Sequence, residues 1–101
     1  MPVNDIDLLE RQDTKLERPK MYQVVMYNDD FTPFEFVLAM LMKFFNMGGE
    51  QAFSVMMAVH TTGKGLCGVY PKDVADTKAT EVMKWAKVEG HPLRLEVEAQ
   101  A

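Results

Sequence analysis

The 101-residue sequence holds a single cysteine, Cys67. No internal disulfide and no cysteine-based metal cluster can form, and a reducing compartment is the simple expectation. Basic residues are a minority: 11 Lys and Arg against 15 Asp and Glu leave a formal net charge of −4. Nucleic-acid binders normally present a basic face, and anionic membranes attract the same sign, so neither is an expected partner. No apolar run approaches the roughly 20 residues that span a bilayer. Even the stretch 34–47 is interrupted by Glu35, Lys43 and Asn46. The opening Met1-Pro2-Val3-Asn4-Asp5-Ile6-Asp7 lacks an apolar signal core, and its acidic groups disfavour a transit peptide. A cytoplasmic protein is expected.

Enzyme signatures are missing too. There is no Gly-x-Ser-x-Gly elbow, no phosphate-cradling glycine loop and no His-Glu-x-x-His motif. Gly63-Lys64-Gly65 is too short for a phosphate loop. Cys67, beside Gly68 in an apolar context, reads as an inert buried thiol rather than a nucleophile. The two His, with Asp29 and Asp30, have none of the spacing of a zinc motif. No catalysis, metal or cofactor is expected.

What the chain has is apolar material. Hydrophobic residues make up 48% of it and aromatics 10%, with nine Met. A single small domain needs such density, because it buries only about 60–70% of the surface its unfolded chain exposes. Met fills irregular gaps and suits surfaces that accept varied apolar partners.

Residues 1–19 read as a flexible tail. Charged and polar residues dominate, the apolar ones make no sustained pattern, and Pro19 closes the segment. The folded domain is expected over 20–101. From Met21 the pattern alternates: Tyr22, Val24 and Met26 against Gln23, Val25 and Tyr27, a strand covered on much of both faces. Asn28-Asp29-Asp30 ends it, since these side chains bond nearby backbone N–H groups in turns. Thr32, Pro33 and Glu35 predict a helix start, with Thr32 as N-cap, Pro33 in the first turn and Glu35 completing a capping box. Phe34, Val37, Leu38, Leu41 and Phe45 share one helical face. Asn46-Met47-Gly48-Gly49 should stop this helix through a left-handed glycine.

A second helix is expected over 50–60, with Ala52, Val55, Met56 and Val59 as its apolar stripe and His60 on the same side. A strand follows at 66–70, where Gly68 permits a bulge or a close approach. Pro71 begins a third helix with the stripe Ala75, Ala79, Val82, Met83 and Ala86, ended by Gly90-His91-Pro92. Leu93, Leu95 and Val97 then alternate with Arg94, Glu96 and Glu98 in a last strand. The order β-α-α-β-α-β predicts an α+β fold: a small, mainly antiparallel three-stranded sheet with three helices on one face.

The Asn28-Asp29-Asp30 corner carries the clearest chemistry. Three small polar residues between a strand end and a helix offer several acceptor oxygens to an ammonium donor. Ordinary turn chemistry explains the same residues, and it stays open here. His60 is either a ligand-facing acceptor or a core histidine satisfied by a carbonyl. Met56 and Val59 are by default core.

The run Tyr27-Asn28-Asp29-Asp30-Phe31-Thr32-Pro33-Phe34-Glu35-Phe36-Val37 resembles the signature of the ClpS adaptor family. So do Met57-Ala58-Val59-His60 with Gly63-Lys64 and Cys67-Gly68-Val69, then Ala75-Asp76-Thr77-Lys78, then His91-Pro92-Leu93. Four blocks in register cover the chain from about residue 20 onward.

The resemblance implies a fold related to the C-terminal domain of the bacterial ribosomal stalk protein. It implies a non-enzymatic, monomeric adaptor for N-degrons, proteins that begin with Leu, Phe, Tyr or Trp. Such an adaptor docks on the N-terminal domain of a ClpA-type AAA+ unfoldase. Asn28, Asp29 and His60 would bind the free α-amino group and first peptide unit, with Asp30 in the same corner. Thr32, Phe34, Val37, Met56, Val59 and Leu93 would line or gate the side-chain pocket, and Asp73 and Lys78 would face the unfoldase. The tail would act at the unfoldase rather than in the pocket. Many family members carry Met where this chain has Phe34, which bears on ligand ranking.

A stalk-like interaction domain without amino-terminus recognition is the alternative reading of the fold. A hydrolase using His60 with Asp29 or Asp30 would lack an obvious nucleophile. A ubiquitin-ligase subunit carrying the same pocket sits poorly with so short a chain.

Overall fold

The computed structural model describes residues 19–100. Apart from Pro19, the expected tail lies outside the described residues.

Alternation in the first segment produces β1 (Met21–Tyr27), which becomes the middle strand of a three-stranded sheet ordered β2-β1-β3. Both neighbours, β2 (Lys64–Pro71) and β3 (Arg94–Ala99), pair with it antiparallel. Val24, Met26 and Leu95 point to one side and join the apolar stripes of all three helices in a common core. Val25 points the other way yet is also buried, with Leu66 and Glu96 as its cross-strand partners. The strand is therefore covered on both faces, by helices on one and by its neighbours' side chains on the other.

The β1–β2 register shifts between Val24, opposite Gly68, and Val25, opposite Leu66. Cys67 is the extra residue of a β-bulge. A side chain at Gly68 would start 2.6 Å from the Tyr70 ring, so the expected bulge and the expected close approach coincide there.

Three helices follow the expected order: α1 (Phe34–Phe44), α2 (Gly49–Thr62) and α3 (Lys72–Val88). Their starts and stops differ in instructive ways. α1 begins at Phe34, with Pro33 as its N-cap in extended conformation (φ −65°, ψ 146°). No side chain caps it, so the predicted capping box does not form. Thr32 is engaged elsewhere: its hydroxyl donates to the Asp29 carboxylate at 2.8 Å. A charged acceptor three residues before Thr32 holds that hydroxyl, so it does not cap the helix. The Pro33 carbonyl still accepts from the N–H groups of Phe36 and Val37, both at 3.1 Å.

At the other end, Asn46 adopts the left-handed conformation (φ 56°), and Gly48 is the extended N-cap of α2. Asn tolerates that region through local side-chain bonding, which leaves the glycines free to open the next helix. The Lys78 ammonium reaches across from α3 to the Phe44 carbonyl (2.9 Å) and lies over the Tyr70 and Phe45 rings. It thereby satisfies an orphan carbonyl at the end of α1.

α2 runs further than predicted, to Thr62, because the Thr61 and Thr62 hydroxyls donate back to the Met57 and Ala58 carbonyls at 2.8 and 2.6 Å. Gly63 ends it at φ 95°, a conformation that penalises any side chain. The Gly63 carbonyl then accepts the Asn28 N–H at 2.9 Å, which ties the end of α2 to the end of β1. Tight packing reinforces this junction. A Cβ on Gly65 would lie 2.7 Å from Val59 Cγ2 and 3.1 Å from the Val55 carbonyl oxygen.

Candidate functional site

That junction frames a narrow cleft lined by nine residues. Its apolar walls are Met26 from β1, Phe34 and Val37 from α1, and Met56 and Val59 from α2. Its polar members are Asn28, Asp29, Thr32 and His60.

Each wall residue is placed by local geometry. Val37, Met56 and Val59 belong to the buried stripes of their helices, and the cleft is where those stripes meet beyond the end of the sheet. Met26 is the last inward-facing residue of β1 and closes the floor at 2% exposure. Phe34 stands at the mouth, half exposed, with its ring edge-on to His60 at 5.2 Å and 80°.

Asp29 organises the polar side. One carboxylate oxygen accepts the N–H groups of Phe31 (2.8 Å) and Thr32 (2.7 Å), and the other accepts the Thr32 hydroxyl. Burial pushes the Asp29 carboxyl up, but the bonds from Thr32 and Phe31, helped by nearby His91, outweigh it. The group is held below its ordinary value. Asp29 is thus ionised at neutral pH, at the edge of an apolar cleft. Thr32 is the one buried polar residue among those described, and this bond satisfies it.

Sequence reasoning named eight of the nine lining residues and missed Met26. The signal was present: Met26 follows Val24 in the inward alternation and precedes the polar corner by two positions. Two residues expected at the site lie outside it. Leu93 is 5% exposed within the common core and does not line the cleft. Asp30 is exposed on the turn and does not line it either.

Cys67 does not line the cleft. Burial pushes its thiol up to about 12, so it holds its proton and is no nucleophile. No group of three or more metal-ligating side chains is assembled among the described residues, and no described helix is long and apolar enough to cross a membrane.

Asp73 and Lys78 share a shallow depression on α3 with Val74, Thr77 and Glu81. A neighbouring depression joins Asp73 and Asp76 to Pro19 and Lys20, where the described chain begins.

A family described as "ATP-dependent Clp protease adaptor protein ClpS" matches residues 17–96. The chain belongs to the ClpS family. The ClpS adapter protein of Herminiimonas arsenicoxydans is 48% identical over 95 residues, covering 94% of this chain and 93% of that protein. The ClpS adapter of Paraburkholderia xenovorans is 49% identical over 94 residues, covering 93% and 90%. Among solved structures, Agrobacterium tumefaciens ClpS2 bound to L-phenylalaninamide superposes with a TM-score of 0.79 at 40% identity. That match covers 82% of this chain and all of that one. ClpS proteins are adaptors of an ATP-dependent protease.

Proposed function

We propose that the cleft captures the free N-terminus of proteins beginning with Leu, Phe, Tyr or Trp, and that the chain delivers them to a ClpA-type unfoldase in the cytoplasm. The observation that carries this reading is a cleft with apolar walls whose mouth holds an ionised carboxylate, an amide and an imidazole. L-phenylalaninamide, bound by the similar Agrobacterium protein, has the matching chemistry: a free amine, a benzyl group and an amide.

An α-amino group is cationic at neutral pH, with a reference pKa of about 7.7–8.0. Asp29 pairs with that charge, Asn28 bonds the first peptide unit, and His60 accepts an N–H through a ring nitrogen. An internal peptide offers no ammonium, so chain termini are selected. Burying the first side chain against Met26, Val37, Met56 and Val59 adds roughly 1.5–3 kcal/mol. A charged side chain would lose its hydration there without gaining a partner. Asp30 contributes a second negative charge to the corner from outside the cleft.

Docking to the unfoldase is assigned to α3 around the exposed Asp73 and the half-buried Lys78, whose ammonium also holds the Phe44 carbonyl. The described chain begins beside that surface, at the Met21 end of β1, while the cleft lies past the Tyr27 end. Seven residues of strand separate the two by about 20 Å. Residues 1–19, which precede that end of the strand, are assigned to action at the unfoldase rather than in the cleft.

The test is a reconstituted degradation assay with ClpA, its peptidase and a Leu-initiated reporter. The full chain should accelerate loss of the reporter, and a Met-initiated twin should be spared. A truncation starting at Lys20 should keep peptide binding but fail to deliver. Equal turnover of both reporters would refute N-terminal selection, and full delivery by the truncation would refute the role of the tail.

A further inference from the structure

Phe31 is 79% exposed, the most exposed large hydrophobic side chain among the described residues. A single exposed aromatic is ordinary on a protein surface. Two features separate this one from the rest. Its backbone is pinned: the Phe31 N–H donates to the Asp29 carboxylate at 2.8 Å, and the next N–H, that of Thr32, donates to the same oxygen at 2.7 Å. Thr32, which follows it, and Asp29, two residues before it, line the cleft, whereas Phe31 does not. An aromatic on a held backbone therefore stands just outside the mouth of the cleft.

We infer that Phe31 reads the second residue of the bound N-terminus and favours an aromatic or large aliphatic side chain there. The inference rests on the proposed capture of a free N-terminus at Asp29. With the first side chain in the cleft and the amine at Asp29, the second α-carbon lies one peptide unit away, about 3.8 Å from the first. Its side chain must leave by the mouth, which is bounded on one side by the turn that carries Phe31. An aromatic on a pinned backbone has only two side-chain torsions to order on contact, so little entropy opposes stacking. Aromatic pairs of this kind correspond to about two- to tenfold in affinity.

The experiment compares free-amine peptides Leu-Phe-x, Leu-Leu-x and Leu-Ser-x, identical beyond the second position, on the full chain and on Phe31→Ser. Neutral second residues keep the charge of Asp29 and Asp30 out of the comparison. The readout is the ratio of two affinities on one protein, which a general weakening of the variant does not move. The wild-type chain should bind Leu-Phe-x about two- to tenfold more tightly than Leu-Ser-x. Phe31→Ser should bring the ratio to near one, and Phe31→Tyr should retain it. A wild-type ratio of one, or a preference that survives in Phe31→Ser, overturns this inference alone. Failure of all three peptides to bind the wild-type chain overturns the proposed function and this inference together.

Discussion

Replacing Asp29 separates two tasks that one carboxylate performs. It accepts three hydrogen bonds from its own turn, and it is the group assigned to the ligand's ammonium. Asp29→Asn keeps a carbonyl oxygen for the N–H groups of Phe31 and Thr32, and the Thr32 hydroxyl can rotate to meet the new amide. The turn should survive while the charge is lost. A hydrogen bond to a charged group contributes about 1.5–3 kcal/mol, which corresponds to roughly 10- to 150-fold in affinity. Calorimetric titration with a Leu-initiated peptide should show that loss, with a melting temperature close to wild type.

Asp29→Ala removes the turn acceptors as well. It should lose binding and, in addition, about 1–3 kcal/mol of stability for the donors left without partners. Three donors of the turn depend on this one carboxylate. The pH dependence carries the same signature. Because the folded carboxyl sits below its ordinary value, its stabilisation is present above that value and disappears as pH falls through the lowered one. Wild-type protein should therefore lose its advantage over Asp29→Ala in acid. Wild-type affinity in Asp29→Asn would refute the ion pair, and an unfolded Asp29→Asn would refute the separation of tasks.

Gly65→Ala should cost about 1–3 kcal/mol in thermal denaturation, since its Cβ meets Val59 and an immobile helix carbonyl. Val59 would be driven toward the cleft, so Trp-initiated peptides should suffer more than Leu-initiated ones in titrations. Phe34→Ala should reorder preferences among Leu, Phe and Trp and admit β-branched first residues. An unchanged ranking would mean that Phe34 is no gate. Peptide affinity should fall as pH rises through about 8, where the ligand amine loses its proton. A flat alkaline profile would argue against recognition of an ammonium.

Element order was legible because the apolar period changes cleanly along the chain, from two in 21–27 to the helical spacing of 34–45. Boundaries were less so, for identifiable reasons. Thr32, Pro33 and Glu35 spell a capping box, but nothing local reveals that Asp29 holds the Thr32 hydroxyl. Asn46 and Gly48 are both able to end a helix, and only packing decides that Asn46 takes the left-handed turn. The close approach at Gly65 depends on where α2 lies over β2, a tertiary fact. Most of the cleft was legible because its residues cluster in two short segments, 26–37 and 56–60. Leu93 shows the converse: an apolar residue at a strand entrance gives no local sign of whether it faces a cleft or the core. Lys78 has a structural partner in the Phe44 carbonyl that no pattern in α3 announces.

The most direct test of the central claim is a titration of the full chain with two peptides that differ only at the amine, one Leu-initiated and free, the other its N-acetylated twin. Acetylation removes the charge and places a carbonyl where the ammonium would meet Asp29, leaving the side chain for the cleft unchanged. The free peptide should bind saturably and the acetylated one should be weaker by at least about tenfold, the loss of one charge-assisted bond. Comparable affinities for the two would mean that the corner of Asn28, Asp29 and His60 does not recognise an amino terminus, and would contradict the account.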